Sequence, residues 1–185
     1  DENDLRAMLD FALLQDSPVS IRYPKATAEV VEGARTPIEL GHAEVIDWGH
    51  DGMIIACGTL LTSCIKAAAL LREEGLDVGV VNARFVKPLD NEIVLRAISS
   101  SPFVVTVEEA ALAGGFGSAV LEVATDAGQS ASHVRRLGIP DRFIEHAERG
   151  ELLADLGLDS AGIALACRQM AARVDVKTAD RRRVS

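Results

Sequence analysis

The sequence predicts an α/β fold: a three-layer sandwich in which helices cover both faces of a mostly parallel sheet. Short apolar runs alternate with segments of helical period between residues 38 and 174, and this alternation favours right-handed strand–helix–strand crossovers. The run Met-Ile-Ile-Ala-Cys at 53–57 is apolar throughout, as is typical of a strand covered on both faces. Aromatic residues make up only 4% of a chain that is 48% hydrophobic, so the core is expected to be aliphatic.

Each element follows from a local pattern. Apolar residues at helical spacing predict an N-terminal helix, and the alternating stretch 19–23 predicts a strand that ends at Pro24. Further strands are predicted at 43–48, 53–57, 78–82, 103–107 and 134–137. A tight turn at 51–52 would make the first two of these a hairpin. Helices are predicted at 59–75, with Thr59 as N-cap, and at 90–99, 116–127, 148–156 and 159–174.

The chain is predicted to divide into four parts. Residues 1–24 form one helix and one strand, which cannot bury both their faces alone and are expected to complete a second sheet. Residues 25–37 are small, polar and acidic and predict a linker, whereas residues 38–174 carry the α/β domain. Residues 175–185 include three consecutive arginines and predict a disordered tail. A start without Met, inside a helical pattern, leads us to expect a piece of a longer protein.

Composition excludes several classes of protein. The formal net charge is −9 and the pI is about 4.9, which argues against a protein that coats nucleic acid or anionic membrane. The apolar runs fall far short of the ~20 residues that a membrane helix needs, and a signal peptide is not expected, because no charged-then-apolar leader opens the sequence. Three cysteines without a Cys-x-x-Cys pair indicate free thiols in a reducing compartment, so a cytoplasmic protein is expected.

A glycine-rich stretch, Gly-Gly-Phe-Gly-Ser at 114–118, follows a predicted strand and precedes a predicted helix. Backbone amides at such a helix start can hold a phosphate. The spacing matches neither a dinucleotide-binding fingerprint nor a phosphate-binding loop with its Lys-Ser/Thr. A tight turn that needs positive φ is the favoured interpretation, and an anion site is the alternative.

Charged residues at the ends of predicted strands are the other candidates for a functional site. Glu108 and Glu109 lie where open α/β sheets place ligands, but neighbours on an extended strand face opposite sides and are not expected to converge. Loop or interface hydrogen bonding is therefore favoured over metal binding. Arg22 ends a predicted strand just before Pro24 and suits bidentate recognition of phosphate or carboxylate, with a structural ion pair as the alternative. The histidines lack a partner at i+4, so a zinc site is not expected.

Together these stretches resemble the closing third of the 1-deoxy-D-xylulose-5-phosphate synthase family. The resemblance covers residues 1 to about 173, and the motifs occur in the family's order: Ile-Arg-Tyr-Pro at 21–24, Asn-Ala-Arg-Phe-Val-Lys-Pro-Leu-Asp at 82–90, Thr-Val-Glu-Glu at 106–109, the glycine stretch at 114–118, and Gly-Ile-Pro-Asp-Arg-Phe-Ile-Glu-His at 138–146. The resemblance implies a transketolase C-terminal domain-like fold for 38–174 and the tail of a pyrimidine-binding domain for 1–24.

The resemblance also implies an activity. The family is a thiamine-diphosphate- and Mg²⁺-dependent, homodimeric transferase that condenses pyruvate with D-glyceraldehyde 3-phosphate to 1-deoxy-D-xylulose 5-phosphate and carbon dioxide. The product feeds isoprenoid precursors and thiamine biosynthesis. The family's Gly-Asp-Gly cofactor motif does not occur in this sequence. No catalytic, cofactor or metal residue is therefore carried over, and the piece is expected to bind no cofactor and to be inactive alone.

One site residue is carried over by the resemblance. Arg22 matches the family's Arg-Tyr-Pro arginine, which grips the phosphate of glyceraldehyde 3-phosphate; Lys25-Ala26 follow where the family usually has Arg-Gly. Two alternatives stay open at this point. One is the C-terminal domain of another transketolase-like enzyme, such as an oxo-acid dehydrogenase beta chain. The other is a free-standing module that binds an anion at the glycine stretch.

Overall fold

The computed structural model describes residues 1–27, 29–33 and 35–184, with side chains described up to residue 174. The strands are β1 (Glu44–Asp47), β2 (Gly52–Cys57), β3 (Val78–Asn82), β4 (Val104–Ala111) and β5 (Val134–Ile139). The helices are α1 (Glu2–Leu13), α2 (Leu61–Glu73), α3 (Asn91–Ser100), α4 (Phe116–Asp126), α5 (Arg149–Asp155) and α6 (Ser160–Val184), with a short 3-10 helix at Gly58–Leu60.

The five strands form one sheet in the order β1-β3-β2-β4-β5. Strands β2, β3, β4 and β5 run parallel to one another, whereas β1 pairs antiparallel with β3. The mostly parallel sheet is confirmed. The predicted hairpin at 51–52 is wrong, because β3 lies between β1 and β2. Asp51 instead bonds across to Asp77, the residue before β3: its amide donates to the Asp77 carbonyl at 2.8 Å, and its carboxylate accepts the Asp77 amide at 2.7 Å.

Two apolar clusters lie on opposite faces of the sheet and confirm the three-layer sandwich. In β2, Ile54 and Ala56 face the cluster that contains α2 and α6, while Met53 and Ile55 face the cluster that contains α3 and α4. All four side chains are fully buried. The strand can be apolar at every position because both of its faces are covered.

Two predictions near the chain ends need correction or stay untested. The strand predicted at 19–23 is not formed, because no described strand offers the segment a hydrogen-bonding neighbour; it runs as irregular chain. The last helix, α6, extends past its predicted end at residue 174. The side chains of the predicted tail at 175–185 lie outside the described residues, so a disordered tail stays a prediction.

Helix α1 rests on the α/β domain through charged side chains. All of its residues are described, and none is buried; Leu13 and Leu14 are more than four-fifths exposed. Its acidic first turn contacts Arg35, which binds Asp1 at 2.8 Å and Asp4 at 3.0 Å. Arg35 also pairs with Glu44 at the start of β1. The arginine therefore joins the helix and the sheet through the segment that precedes β1.

The end of β3 and the residues that follow it complete this attachment. Asn82 donates to the Asp4 carboxylate at 2.7 Å, and Arg84 pairs with both Asp4 and Glu44 at 3.2 Å. The Arg84 backbone has a φ of +57°, a conformation that costs a non-glycine residue about 1–3 kcal/mol. Phe85 meets Phe11 of α1 edge-to-face, with ring centroids 5.8 Å apart. We call this set of contacts, centred on Arg35, Glu44, Asp4 and Arg84, the polar clasp.

Glu44 is held ionised in the polar clasp. Its burial alone would raise the pKa of its carboxyl group, but hydrogen bonds from Arg35 and the Thr36 amide and the charge of Arg84 outweigh burial and lower the pKa below 4.5. A charge removed from water is stable only with such partners. Removing Arg35 therefore leaves Asp1, Asp4 and Glu44 close together, with Arg84 alone to offset the charges of Asp4 and Glu44.

We predict that Arg35→Gln releases α1 while the sheet stays folded. Breaking a buried ion pair by removing one partner costs about 3–5 kcal/mol, and α1 buries no residue that could replace the lost contact. Hydrogen exchange followed by mass spectrometry should show faster exchange in the peptide that contains α1 and unchanged exchange in β2.

The matched control is Arg6→Gln, which makes the same Arg-to-Gln change at a position within α1. Arg6 pairs with Glu2 on the exposed side of the helix, where its side chain is 75% exposed. Exchange in α1 should not change in this variant. Equal exchange in the Arg35 and Arg6 variants would show that the polar clasp does not hold the helix.

Candidate functional site

The candidate site lies where the parallel strands β2 and β4 end. Their last paired residues, Cys57 and Glu108, stand side by side in the sheet. Ligands of open α/β sheets bind outside these carboxyl ends. Three of the residues singled out from the sequence, Arg22, Glu108 and Glu109, meet at this edge.

Glu108 is bonded to the start of helix α4. The residue is only 2% exposed. One carboxylate oxygen accepts the Phe116 amide at 2.7 Å, and the other accepts the Gly117 amide at 2.8 Å. These amides are among those that a helix leaves unpaired at its start, and they were the candidate phosphate donors. The anion at the glycine stretch is therefore the protein's own carboxylate.

The glycines allow this close approach. Gly114 has a φ of +70°, which confirms the tight-turn interpretation. At Gly115, an added Cβ would lie 2.2 Å from the Ala111 carbonyl oxygen and 2.3 Å from a Glu108 carboxylate oxygen. Any larger residue at 115 would displace the carboxylate from the helix.

Glu109 faces away from Glu108, as predicted. Its carboxylate accepts from Arg149 at 2.9 Å and 2.5 Å and from the Thr59 hydroxyl at 3.0 Å. The hydrogen bond from Arg149 is the main cause that lowers the pKa of Glu109; partial burial opposes it, and Thr59 and the charge of Arg22 add to it. Thr59 was predicted to cap a helix, and that prediction is wrong: α2 starts at Leu61 without a side-chain cap.

Arg22 lies next to this pair and bonds to the backbone rather than to a carboxylate. Its guanidinium donates to the Glu109 carbonyl at 2.8 Å. Because Arg149 already neutralises the Glu109 carboxylate, the charge of Arg22 stays available. A guanidinium has five N–H donors, so donors on the exposed side of Arg22 can reach a ligand. Sequence reasoning missed Arg149, since it follows the last recognisable motif and has no pattern of its own.

Cys57 borders the site but is not a nucleophile at neutral pH. Burial, with the charge of Glu108 in addition, raises the pKa of its thiol to about 11, although Arg22 acts in the opposite direction. Cys64 and Cys167 are fully buried and free. The thiols therefore serve as apolar packing groups.

The described residues show neither a cluster of metal-ligating side chains nor a membrane-spanning helix. No three His, Cys, Asp or Glu side chains converge there to hold a metal ion. None of the helices in this part of the chain has the length and apolar composition needed to cross a bilayer.

Fold and site define the class of protein. The family described as "Transketolase, C-terminal domain" matches residues 41–163, which include the sheet, the glycine stretch and the Glu108–Glu109 edge. The chain belongs to this family. The fold class predicted from the sequence is confirmed by this match and by the sheet itself.

Curated relatives narrow the similarity to one enzyme. The chain is 46% identical over 168 residues to 1-deoxy-D-xylulose-5-phosphate synthase 1 of Geobacter sulfurreducens, covering 90% of this chain and 26% of that protein. It is 48% identical over 171 residues to the synthase of Rhodopirellula baltica, covering 92% and 27%. The synthase of Heliobacterium modesticaldum matches the whole chain at 41% identity and 28% of its own length. The chain thus spans about a quarter of these relatives, and the resemblance read from the motifs is confirmed.

A solved structure has the same fold. The split gene transketolase in its inactive beta4 tetramer superposes with a TM-score of 0.80 and 30% identity. The match covers 90% of this chain and 53% of that one. Most of the chain therefore superposes on a transketolase fold.

We predict that Glu108→Gln lowers the free energy of unfolding by about 1.5–3 kcal/mol, the usual contribution of hydrogen bonds to a charged group. Glutamine keeps the size of the side chain but turns one acceptor into a donor that faces a backbone N–H. Urea unfolding followed by circular dichroism measures the loss.

Glu122→Gln is the control, because Glu122 lies exposed on the same helix, α4. It should change the free energy of unfolding by no more than about 0.5 kcal/mol. Equal effects in the two variants would mean that the carboxylate of Glu108 contributes nothing specific.

Proposed function

We propose that the chain is the C-terminal part of a 1-deoxy-D-xylulose-5-phosphate synthase. The complete enzyme would be a cytoplasmic, homodimeric transferase that uses thiamine diphosphate and Mg²⁺. It would condense pyruvate with D-glyceraldehyde 3-phosphate to 1-deoxy-D-xylulose 5-phosphate and carbon dioxide, at the start of isoprenoid precursor and thiamine biosynthesis. The observation that carries this proposal is 41–48% identity to such synthases over about 90% or more of this chain.

The two alternatives from the sequence are less well supported. An oxo-acid dehydrogenase beta chain would share the fold, but the three relatives described above are all synthases. A module that binds an anion at the glycine stretch would need free amides at Phe116 and Gly117. Those amides are bonded to Glu108, so an incoming anion would have to displace a buried carboxylate.

Within that function, we assign Arg22 to the phosphate of D-glyceraldehyde 3-phosphate. The support is its exposed guanidinium at the ligand-binding edge of the sheet, held by the Glu109 carbonyl. Bidentate hydrogen bonds from arginine suit the oxygens of a phosphate. Arg149 contributes indirectly, since it binds the Glu109 carboxylate that would otherwise pair with Arg22 and repel the phosphate.

The isolated chain is proposed to be inactive. The support is that the chain covers only 26–28% of the length of its synthase relatives, and that the similar split gene transketolase structure is an inactive beta4 tetramer. Thiamine diphosphate, when bound in the complete enzyme, would supply the carbanion chemistry on pyruvate. Steady formation of 1-deoxy-D-xylulose 5-phosphate by the purified 185-residue chain would contradict this assignment.

We predict that Arg22→Ala, made in the complete enzyme, lowers kcat/KM for D-glyceraldehyde 3-phosphate by about 10- to 100-fold. The reason is the loss of charge-assisted hydrogen bonds, each of which contributes about 1.5–3 kcal/mol. The KM for pyruvate should stay the same. Arg22→Lys should recover part of the activity, because it keeps the charge without the bidentate geometry.

Unphosphorylated D-glyceraldehyde provides the decisive comparison. This aldehyde carries no phosphate for Arg22 to bind, so the wild type and Arg22→Ala should use it equally well. Arg6→Ala, on the exposed side of α1, controls for loss of a positive charge in the same segment. A proportional loss with both aldehydes would assign Arg22 to structure rather than to phosphate recognition.

A further inference from the structure

Three side chains beside Arg22 form a closed ring of hydrogen bonds. Arg149 donates to both oxygens of the Glu109 carboxylate, at 2.9 Å and 2.5 Å. The Thr59 hydroxyl donates to the same carboxylate at 3.0 Å and accepts from Arg149 at 3.3 Å. We call Thr59, Glu109 and Arg149 the carboxylate ring. It joins the 3-10 helix after β2, the end of β4 and the start of α5, three segments that are distant in sequence.

The carboxylate ring holds an anion close to the guanidinium of Arg22. Arg22 donates to the backbone carbonyl of Glu109 at 2.8 Å. The hydrogen bond from Arg149 is the main cause that lowers the pKa of the Glu109 carboxyl group, and the charge of Arg22 lowers this pKa as well. Within the described part of the chain, the carboxylate itself bonds to Arg149 and Thr59 and not to Arg22. Arg22 and the Glu109 carboxylate are therefore coupled by charge without direct contact.

A carboxylate released from the ring would compete with a phosphate for Arg22. Carboxylate and phosphate oxygens both accept charge-assisted, bidentate hydrogen bonds from a guanidinium. Glu109 is also the residue whose backbone holds Arg22. Its carboxylate is therefore an internal ligand with a high effective concentration, and its negative charge would also repel a bound phosphate.

We propose that Thr59 and Arg149 are positioning residues that hold the Glu109 carboxylate away from Arg22. By doing so they determine the preference for a phosphorylated over an unphosphorylated aldehyde, although the phosphate is bound by Arg22. This inference rests on the proposed function, because it takes Arg22 as the residue that binds the substrate phosphate. It adds an internal competitor, Glu109, and the two residues that restrain it.

The first test is Arg149→Gln in the complete enzyme. It should lower kcat/KM for D-glyceraldehyde 3-phosphate at least about threefold, mainly through a higher KM, because the freed carboxylate pairs with Arg22 and repels the phosphate. The kcat/KM for D-glyceraldehyde, which has no phosphate, should not change. Thr59→Val keeps the size of the side chain but removes the hydroxyl. It should cause a smaller loss, again with the phosphorylated aldehyde alone.

The decisive variant is the double substitution Arg149→Gln/Glu109→Gln. Glutamine at 109 keeps the backbone carbonyl that holds Arg22 but removes the competing charge. The double variant should therefore regain the wild-type kcat/KM for D-glyceraldehyde 3-phosphate. If Arg149 has only a structural role, the second substitution removes a further partner of the ring and cannot restore activity.

Arg168→Gln is the matched control, because Arg168 forms a comparable two-bond pair with Glu74, at 2.7 Å and 2.6 Å. Both arginine side chains are about two-fifths exposed, so the two substitutions break similar ion pairs. Only the pair at Arg149 lies beside Arg22, so Arg168→Gln should leave kcat/KM for both aldehydes unchanged.

The outcomes separate this inference from the proposed function. No loss in Arg149→Gln, an equal loss with both aldehydes, or no recovery in the double variant would overturn the inference, while the predicted effect of Arg22→Ala could still be observed. A complete enzyme that forms no 1-deoxy-D-xylulose 5-phosphate would instead contradict the proposed function itself.

Discussion

The carboxylate of Glu108 is the constraint on which the site depends. It joins the end of β4 to the start of α4 through two short hydrogen bonds inside the core. Because neighbouring residues of a strand face opposite sides, this anchoring directs Glu109 towards Thr59 and Arg149. The Glu109 carbonyl is thereby available to Arg22. The buried Glu108 carboxylate thus occupies the amides at the start of the helix. In the proposed function, the phosphate is therefore bound by Arg22 and not by these amides.

The position of Arg22 also depends on the contacts that hold α1, the helix that precedes it in the chain. The polar clasp holds α1 through Arg35 and Arg84, although the helix buries no residue of its own. This gives a physical reason for the Asn-Ala-Arg-Phe stretch at 82–85: Asn82, Arg84 and Phe85 each contact α1. The N-terminal segment is therefore fixed at two points, the polar clasp and the Glu109 carbonyl.

The sheet was predictable because apolar runs and helical periods are local signals. The contacts that decide the site were not, because they join residues distant in sequence, such as Arg149 and Glu109 or Arg84 and Asp4. The strand predicted at 19–23 failed for the same reason: its alternation is genuine, but a strand also needs a neighbour. Glu108 was assigned correctly to loop hydrogen bonding, yet only the structure shows that it fills the glycine stretch.

Amide hydrogen exchange at Phe116 and Gly117 tests the role of Glu108 most directly. If Glu108 is the resident anion, both amides exchange slowly, and added phosphate leaves their rates unchanged, because the donors are already occupied in a buried site. Fast exchange without phosphate, followed by protection when phosphate is added, would contradict the account and return the glycine stretch to the role of an anion-binding loop.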